Sequence, residues 1–348
     1  MLIVHNPVHH LHQGRHEMFR GRLVPCHEVP ARLDHVLAEL AVRPLGPLRE
    51  PDAQGLDALL ARVHAPRYLA FLARAWDDWV ALDPANAALD ALPSVWPIRG
   101  FRADREPDNF AARLGLYSFD AGTPLTAGSW AAARAGAACA LTAARAAACG
   151  APAAFALTRP PGHHAGADFF GGYCFLNHAA VAVEALRDAG AARVAVLDID
   201  YHHGNGTQAI FYERDDVLTV SIHGDPRTEY PFYLGHADET GQGAGAGANL
   251  NLPLPRGTGF DTWRAALAQG LAAVDRHRAD AMVVPLGVDT FEGDPISGFR
   301  LQSADYLRIG EDIARTAAGR PTVFVFEGGY AVAEVGINVV NVLAGFAG

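Results

Sequence analysis

The chain has 348 residues, half of them apolar, and a formal net charge of −10. This acidic balance argues against a general nucleic-acid-binding role, so we expect no nucleic acid among its partners. Arginines such as Arg134 and Arg145 interrupt the Ala-rich stretches, and no segment predicts a secretory signal or a membrane span. The four cysteines lack CxxC spacing, which is typical of reduced thiols and favours a cytoplasmic protein.

Short apolar segments alternate with Ala- and Leu-rich segments along the chain. The apolar segments predict strands at 2–4, 154–157, 194–200, 217–222, 281–288 and 322–326. The others predict helices at 30–41, 130–148, 177–189, 262–278 and 303–318. This alternation predicts a single α/β domain over residues 1–348, an open parallel β-sheet flanked by helices on both faces. A Pro-, Gly- and aromatic-rich insertion loop is expected at about 83–120.

The segment 194–208 carries the most chemical information. An apolar strand runs into two carboxylates and two imidazoles and then into glycines. Alternate strand residues point the same way, so Asp200 and His202 project together, with Asp198 one step deeper and His203 turned away in a structural role. Carboxylates beside an imidazole suit Zn²⁺ or another divalent metal.

Other predicted strands also end in reactive residues. Asp289 follows the strand at 281–288 and would complete a three-ligand metal site with Asp200 and His202, leaving positions open for water and substrate. The carboxyl ends of parallel strands are where open α/β folds place their sites.

The remaining strand ends offer a base and an oxyanion donor. His163 and His164 follow the strand at 154–157 and titrate near neutrality. Tyr330, after two glycines, can donate its hydroxyl to a developing oxyanion. Metal, base and oxyanion donor together are what amide hydrolysis requires.

These motifs resemble the zinc-dependent histone deacetylase family of the arginase–deacetylase superfamily, and within it the bacterial acetylpolyamine amidohydrolases. The segments that carry the resemblance are 159–166, 170–175, 197–208, 286–291 and 327–330, together with 21–25 and 96–113. The resemblance implies an arginase/deacetylase-like fold and a hydrolase acting on linear amides.

The resemblance also implies two kinds of metal site. Asp200, His202 and Asp289 would bind one Zn²⁺ per subunit, for which Fe²⁺ or Co²⁺ can substitute. Oxygens of five residues would bind a structural K⁺, namely Asp198, Asp200, His202, Ser221 and Ile222.

The same resemblance assigns roles in catalysis. His164 would activate water as general base and later protonate the leaving amine, with Asn205 orienting it. His163, hydrogen-bonded to Asp198, would act electrostatically in the transition state. Tyr330 would polarise the acetyl carbonyl. Because Asn205 is neutral where some family members have aspartate, we expect it to stabilise imidazolium less and to favour a neutral His164.

The resemblance makes Tyr173 and Tyr230 the aromatic walls of a narrow substrate tunnel. We expect the protein to remove acetyl groups from an acetylpolyamine, an acetylated diamine or an acetyl-lysine side chain. Polyamine-selective relatives use acidic residues of the long loop to hold distal ammonium groups. The stretches 110–113 and 120–124 lack glutamates here, which leaves Asp104, Glu106, Asp108 and Asp120 as candidates.

Alternative functions are an acetyl-lysine peptide or protein deacetylase, a catalytically silent acetyl-amine binding protein on the same fold, and a ureohydrolase with two adjacent metals. The loop at 96–113 resembles one that builds a dimer in the amidohydrolase branch, so we expect a homodimer and no membrane partner. The N-terminal histidines are expected in a solvated loop at the rim of the site, at His5, His9, His10, His12 and His16.

Overall fold

The computed structural model describes residues 1–317 and 319–348. Eight parallel strands form its central sheet: β1 (Leu2–His5), β4 (Leu48–Arg49), β5 (Ala154–Leu157), β6 (Val194–Asp198), β7 (Val217–Gly224), β8 (Asn249–Leu254), β9 (Ala281–Leu286) and β10 (Thr322–Phe326). Their order is β4-β1-β5-β10-β9-β6-β7-β8. Strands β2 (His16–Phe19) and β3 (Arg22–Pro25) form a separate antiparallel hairpin. The predicted open parallel sheet is confirmed.

Helices cover both faces of the sheet: α1 (Ala31–Val42), α2 (Leu56–Val63), α3 (Pro66–Leu82), α4 (Phe110–Leu116), α5 (Ser129–Ala148), α6 (His178–Asp188), α7 (Asn205–Phe211), α8 (Phe260–His277), α9 (Ser303–Ala317) and α10 (Val332–Ala347). Strands β5, β6, β7, β9 and β10 are buried along their whole length, and alternate residues enter different cores. In β5, Ala154 and Ala156 pack in the core with α5 and α6, whereas Phe155 and Leu157 pack in the core with α9 and α10. Burial on both faces explains why these strands are continuously apolar.

The predicted helices lie within two residues of observed ones, and residue 318 of the last falls outside the described residues. Two predicted strands were too long. β6 ends at Asp198 and β9 ends at Leu286, so Asp200 and Asp289 lie in the loops that follow the strands. The Asp198 carboxylate accepts a hydrogen bond from the Asp200 backbone N–H at 3.1 Å, which turns the chain out of the sheet.

The insertion loop at 83–120 is only partly irregular. It contains a 3₁₀ turn at Pro84–Ala88 and helix α4, whose first turn is capped by the Asn109 side chain at 3.1 Å from the Ala112 N–H. Between these elements several apolar side chains are more than half exposed, including Val95, Ile98 and Phe101. Among residues 1–317 and 319–348, no helix is both long and apolar enough to cross a membrane.

The prediction that the N-terminal histidines lie in a solvated loop is wrong for His9 and His12, which are buried. His12 Nδ1 lies 2.9 Å from Ser129 Oγ, and its Nε2 lies 3.6 Å from the Glu28 carboxylate. Burial lowers the pKa of both imidazoles to about 4. They therefore pack as neutral residues against the start of α5.

Candidate metal centre and active site

The four strands that carry the predicted reactive residues, β5, β10, β9 and β6, are consecutive neighbours in the middle of the sheet. Their carboxyl ends therefore meet at one place. Asp200 and His202 follow β6, and Asp289 follows β9, which is the strand next to β6. One ligand atom from each of these three residues lies within 4.8 Å of the others, and all three side chains are buried.

This trio is a possible metal site. His202 Nδ1 lies 2.9 Å from Asp289 Oδ2 and 3.4 Å from Asp200 Oδ1. Burial and the neighbouring Asp200 carboxylate raise the pKa of Asp289 to about 7, because two buried carboxylates repel one another. A divalent cation relieves this repulsion, and two carboxylate oxygens with one imidazole nitrogen fit zinc in an open, catalytic geometry.

Backbone groups hold the Asp200 and Asp289 carboxylates in place. The Gly328 N–H donates to Asp200 Oδ2 at 2.7 Å, and the Tyr201 N–H donates to Asp289 Oδ1 at 2.8 Å. The approach at Gly328 requires glycine, since a Cβ there would lie 2.5 Å from the Oδ2 atoms of both carboxylates. The loop that follows β10 thus packs directly on the Asp200 and Asp289 carboxylates.

His163 is arranged to be an imidazolium. Its Nδ1 lies 2.9 Å from Asp198 Oδ2, and its Nε2 lies 3.8 Å from Asp200 Oδ1. Burial opposes the charged form, but the Asp198 and Asp200 carboxylates outweigh it and raise the pKa of His163 to about 10. The backbone N–H of His163 donates to Glu327 Oε2 at 3.1 Å, which ties this loop to the end of β10.

His164 is arranged to be neutral. Its Nδ1 lies 2.6 Å from Asn205 Oδ1, an amide oxygen that can only accept a hydrogen bond. Burial, then the nearby His163 and His202, hold the pKa of His164 well below its usual range. Its Nε2 therefore keeps a lone pair, as a general base requires.

Tyr330 lies in the loop between β10 and α10 and is almost completely buried. Its backbone N–H donates to Asp294 Oδ2 at 2.7 Å, and the Arg32 guanidinium stacks on its ring at 4.6 Å. Burial raises the pKa of the phenol well above its ordinary value. The hydroxyl stays protonated and can donate to an oxyanion.

A cavity of about 390 Å³ reaches the surface from these groups. His164, His202 and Tyr330 line its base, and Tyr173 and Tyr230 line its walls. The mouth lies between the β2–β3 hairpin and the exposed segment around Phe232. The structure thus brings the predicted tunnel residues together with the catalytic candidates.

Each wall tyrosine donates its hydroxyl to a carboxylate that also lines the cavity. Tyr173 Oη lies 2.8 Å from Glu17 Oε1, and Tyr230 Oη lies 2.7 Å from Asp120 Oδ2. Asp120 Oδ2 also accepts the Gly172 N–H at 2.7 Å and so joins the two walls. Burial raises the pKa of Glu17 to about 7.

Four acidic residues of the insertion loop were candidates for binding a distal ammonium. Asp120 lines this cavity, and the other three do not. Asp104 pairs with Arg102, and Glu106 accepts the Tyr117 hydroxyl at 2.7 Å. Asp108 lines a separate groove beside Arg113. Sequence reasoning missed Glu17, which belongs to a four-residue strand without a motif and reaches the cavity only because the hairpin folds over it.

The remaining predicted residues lie in or just after β6 and β7. Asp198 pairs with Ser221 in the parallel register of β6 and β7, so two of the five residues expected to bind K⁺ are neighbours at this corner of the sheet. His203 Nε2 lies 2.9 Å from Gln208 Oε1, and its ring packs on His223 at 4.6 Å. His203 therefore faces this corner rather than the substrate cavity.

Comparisons with known proteins give one consistent family. Residues 26–346 match the family model described as "Histone deacetylase domain". Acetylpolyamine amidohydrolase 2 of Pseudomonas aeruginosa is 53% identical over 348 residues, covering 100% of this chain and 99% of that protein. Acetylpolyamine amidohydrolase of Mycoplana ramosa is 46% identical over 348 residues and 100% of both chains.

Solved structures agree with the sequence matches. The crystal structure of acetylpolyamine aminohydrolase from Burkholderia pseudomallei superposes with a TM-score of 0.93 at 41% identity, over 99% of this chain and 98% of that one. The HDA15 HD domain superposes with a TM-score of 0.77 at 27% identity, over 98% and 86% of the two chains.

Proposed function

The chain belongs to the histone deacetylase family, and from this premise we propose that it is a metal-dependent amidohydrolase that removes the acetyl group from linear N-acetylated amines. The observation that carries the proposal is the convergence of three kinds of group on one cavity. These are the Asp200–His202–Asp289 trio, the neutral imidazole of His164 and the protonated phenol of Tyr330.

We propose that Asp200, His202 and Asp289 bind one Zn²⁺ per subunit, with Fe²⁺ or Co²⁺ able to substitute. When bound, such a metal polarises the acetyl carbonyl and lowers the pKa of a coordinated water. Two buried carboxylates and one imidazole favour a divalent cation on charge alone.

The chain's own groups supply the proton transfers. His164 Nε2 takes a proton from the attacking water and later delivers it to the nitrogen of the leaving amine. Tyr330 donates its hydroxyl to the oxygen of the tetrahedral intermediate. His163, held as imidazolium by Asp198 at 2.9 Å, places a fixed positive charge beside the developing negative one. Acetate and a free amine are the products.

The cavity favours a cationic substrate tail. Three carboxylates line it, Glu17, Asp120 and Glu229, of which Glu229 is paired with Arg256 at 3.1 Å. The aromatic rings of Tyr173 and Tyr230 suit a linear aliphatic chain. Acetylated polyamines and short acetylated diamines combine such a chain with distal ammonium groups, as the names of the relatives indicate. Acetyl-lysine in a peptide is the alternative substrate, since it shares the chain but lacks the distal charge.

Two other functions are less well supported. A catalytically silent binding protein has no need of the full set of ligands, base and hydroxyl donor that this chain retains. A ureohydrolase requires two adjacent metals, and the described part of the chain contains a single cluster of His, Cys, Asp and Glu residues that fits a metal.

We further propose that a structural K⁺ binds behind the catalytic metal through Asp198, Asp200, His202, Ser221 and Ile222. The pairing of Asp198 with Ser221 supports this proposal, because it brings side-chain and carbonyl oxygens of two strands together. Potassium binds such oxygen-rich corners as a hard cation.

We also propose that the protein is a homodimer that works in the cytoplasm. The exposed apolar side chains of the insertion loop, Leu89, Val95, Ile98 and Phe101, support a self-association surface. The four cysteines are free thiols, as expected in a reducing compartment. A monomeric mass by light scattering at working concentration would contradict the dimer.

A substrate panel tests the proposed function. Acetylputrescine, acetylcadaverine, acetylspermidine and an acetyl-lysine peptide are assayed before metal chelation, after it, and after zinc is returned. We expect loss of acetate release on chelation, recovery with zinc, and the highest kcat/KM for the acetylated amines with a free ammonium. Activity that survives thorough metal removal would overturn the mechanism, and a preference for the peptide would reassign the substrate.

A further inference from the structure

A buried carboxylate next to Tyr330 has no part in the proton transfers described above. Asp294 lies in the loop that follows metal ligand Asp289, and its side chain is almost fully buried. One carboxylate oxygen accepts the Ile296 N–H at 3.0 Å, within the same loop. The other accepts the backbone N–H of Tyr330 at 2.7 Å, on a different loop.

The Tyr330 loop needs an anchor of this kind. Gly328 and Gly329 precede the tyrosine, and Gly329 has a φ of +126°, a conformation open to glycine and costly for other residues. Two adjacent glycines restrict the backbone little, and the hydroxyl lies at the far end of the side chain. A small rotation of the Tyr330 backbone therefore moves the hydroxyl substantially.

Helix α10 begins directly after this loop and does not cap itself. Ala331 occupies its N-cap position and has no side-chain acceptor for the unpaired N–H groups of the first turn. Asp294 supplies a carboxylate from outside the helix, which accepts the Tyr330 N–H at 2.7 Å, one residue before the N-cap. A negative charge at a helix N-terminus is favourable.

We propose that Asp294 is a positioning residue for Tyr330, which fixes the phenol by holding its backbone N–H and so links the oxyanion donor to the loop of ligand Asp289. This inference rests on the proposed function, because it assumes that Tyr330 donates to the oxyanion. Arg32 contacts the ring and the Gly329 carbonyl from the other side, at 4.6 and 2.6 Å. Tyr330 is thus held by its backbone from one loop and by its ring from α1.

A double-mutant cycle separates positioning from general stability. Asp294→Ala and Asp294→Asn are each made with Tyr330 intact and with Tyr330→Phe. With Tyr330 intact, Asp294→Ala should lower kcat by about 10- to 100-fold, since small misplacements of a catalytic group cost that much, and leave KM within about twofold. In the Tyr330→Phe background the same change should lower kcat by no more than about threefold, because the hydroxyl it positions is gone.

Two controls separate positioning from metal loss and from a general loss of stability. Bound metal per subunit is measured in every variant, since loss of metal from Asp294→Ala would mean that the residue acts through Asp289. Asp312→Ala removes another buried carboxylate, which lies on α9 and pairs with Arg264 of α8 at 2.6 Å. It should lower the melting temperature and leave kcat unchanged.

The outcomes are distinct. Equal losses of kcat in the two backgrounds, or an unchanged kcat in Asp294→Ala, would overturn the inference alone. A Tyr330→Phe enzyme as active as the wild type would overturn the proposed role of Tyr330 and the inference with it. If Asp294→Ala does not fold, Asp294→Asn carries the cycle, because its amide oxygen can replace one of the two acceptors and should give a smaller loss of kcat that also depends on Tyr330.

Discussion

His164 Nδ1 lies 2.6 Å from the side-chain oxygen of Asn205. Since that oxygen can only accept, the proton must be on Nδ1 and the lone pair on Nε2, which lies toward the cavity. A neutral amide also adds no negative charge that would stabilise an imidazolium. Burial and the nearby His163 and His202 keep the pKa of His164 low, and the uncharged Asn205 adds no carboxylate that would oppose them.

Asn205→Asp tests this relationship. A carboxylate at hydrogen-bond distance raises the pKa of His164, by roughly 1 to 3 units for a close charge pair. Activity requires the neutral imidazole and falls as pH drops through this pKa. The acidic limb of the kcat/KM profile should therefore move to higher pH, as measured from about pH 4 to 9. The control is Asn109→Asp, which makes the same charge change at the N-cap of α4 and should not move the acidic limb. If the limb does not move in Asn205→Asp, the assignment of His164 as a base kept neutral beside Asn205 is wrong.

Glu17 predicts a pH-dependent KM. Burial raises its pKa to about 7, so Glu17 is largely neutral below that pH and ionised above it. Only the ionised form attracts a distal ammonium. KM for acetylputrescine should therefore fall as pH rises through about 7, while KM for an acetylated alkylamine without a second nitrogen should not change with it.

Substitution tests the same assignment. Glu17→Gln should remove the pH dependence and raise KM for acetylputrescine at pH 8 by about tenfold, the equivalent of 1.4 kcal/mol. The matched control is Glu106→Gln, which removes a carboxylate outside the cavity. An equal effect of both variants would show that net charge, rather than Glu17, is responsible.

Gly328 should tolerate no side chain. A Cβ at this position would lie 2.5 Å from both Asp200 and Asp289, so Gly328→Ala must displace a metal ligand. We expect bound metal to fall well below one per subunit and acetate release to fall with it. Gly259→Ala is the control, since a Cβ there meets nothing within 4 Å and its φ is −90°. Full metal occupancy in Gly328→Ala would contradict the packing described.

Metal removal should destabilise the fold as well as stop the reaction. Without a cation, the buried carboxylates of Asp200 and Asp289 repel one another, whereas a bound metal stabilises the native state by about 2.7 kcal/mol at 100 times its Kd. Chelation should lower the melting temperature in calorimetry, and zinc should restore it. In His202→Ala the zinc-dependent rise should be much smaller; a rise equal to that of the wild type would place the metal elsewhere.

The chemistry of the site could be predicted because it is concentrated in short motifs at strand ends. Asp198, Asp200 and His202 occupy alternate positions in one segment, which predicted that they act together, although β6 ends at Asp198 and the loop after it places the other two. The sequence predicted helices α1, α5, α6, α8 and α9, whereas α2, α3, α4 and α7 were not predicted, although α2 and α3 are also rich in Ala and Leu. Helix α10 was missed as well, because its apolar, Val-rich sequence lacks the polar face that marks an amphipathic helix.

Residues that act through long-range packing could not be predicted. Glu17 lies far from every motif in sequence, yet its carboxylate meets Tyr173 at 2.8 Å. Asp294 and Tyr330 are 36 residues apart, and His12 reaches Glu28 only inside the fold. Such contacts depend on how loops from different strands cross, and residue type and spacing do not encode that.

Apolar segments that end in carboxylates, imidazoles and a tyrosine indicate a metal-assisted amide hydrolysis, because ligand chemistry and strand periodicity are local properties that can be read from residue types and spacing. Three features follow only from packing: which strands lie side by side, which carboxylates line the substrate cavity, and which neighbours set the protonation of each histidine. These depend on through-space distance and burial, and both arise only when separated segments pack together.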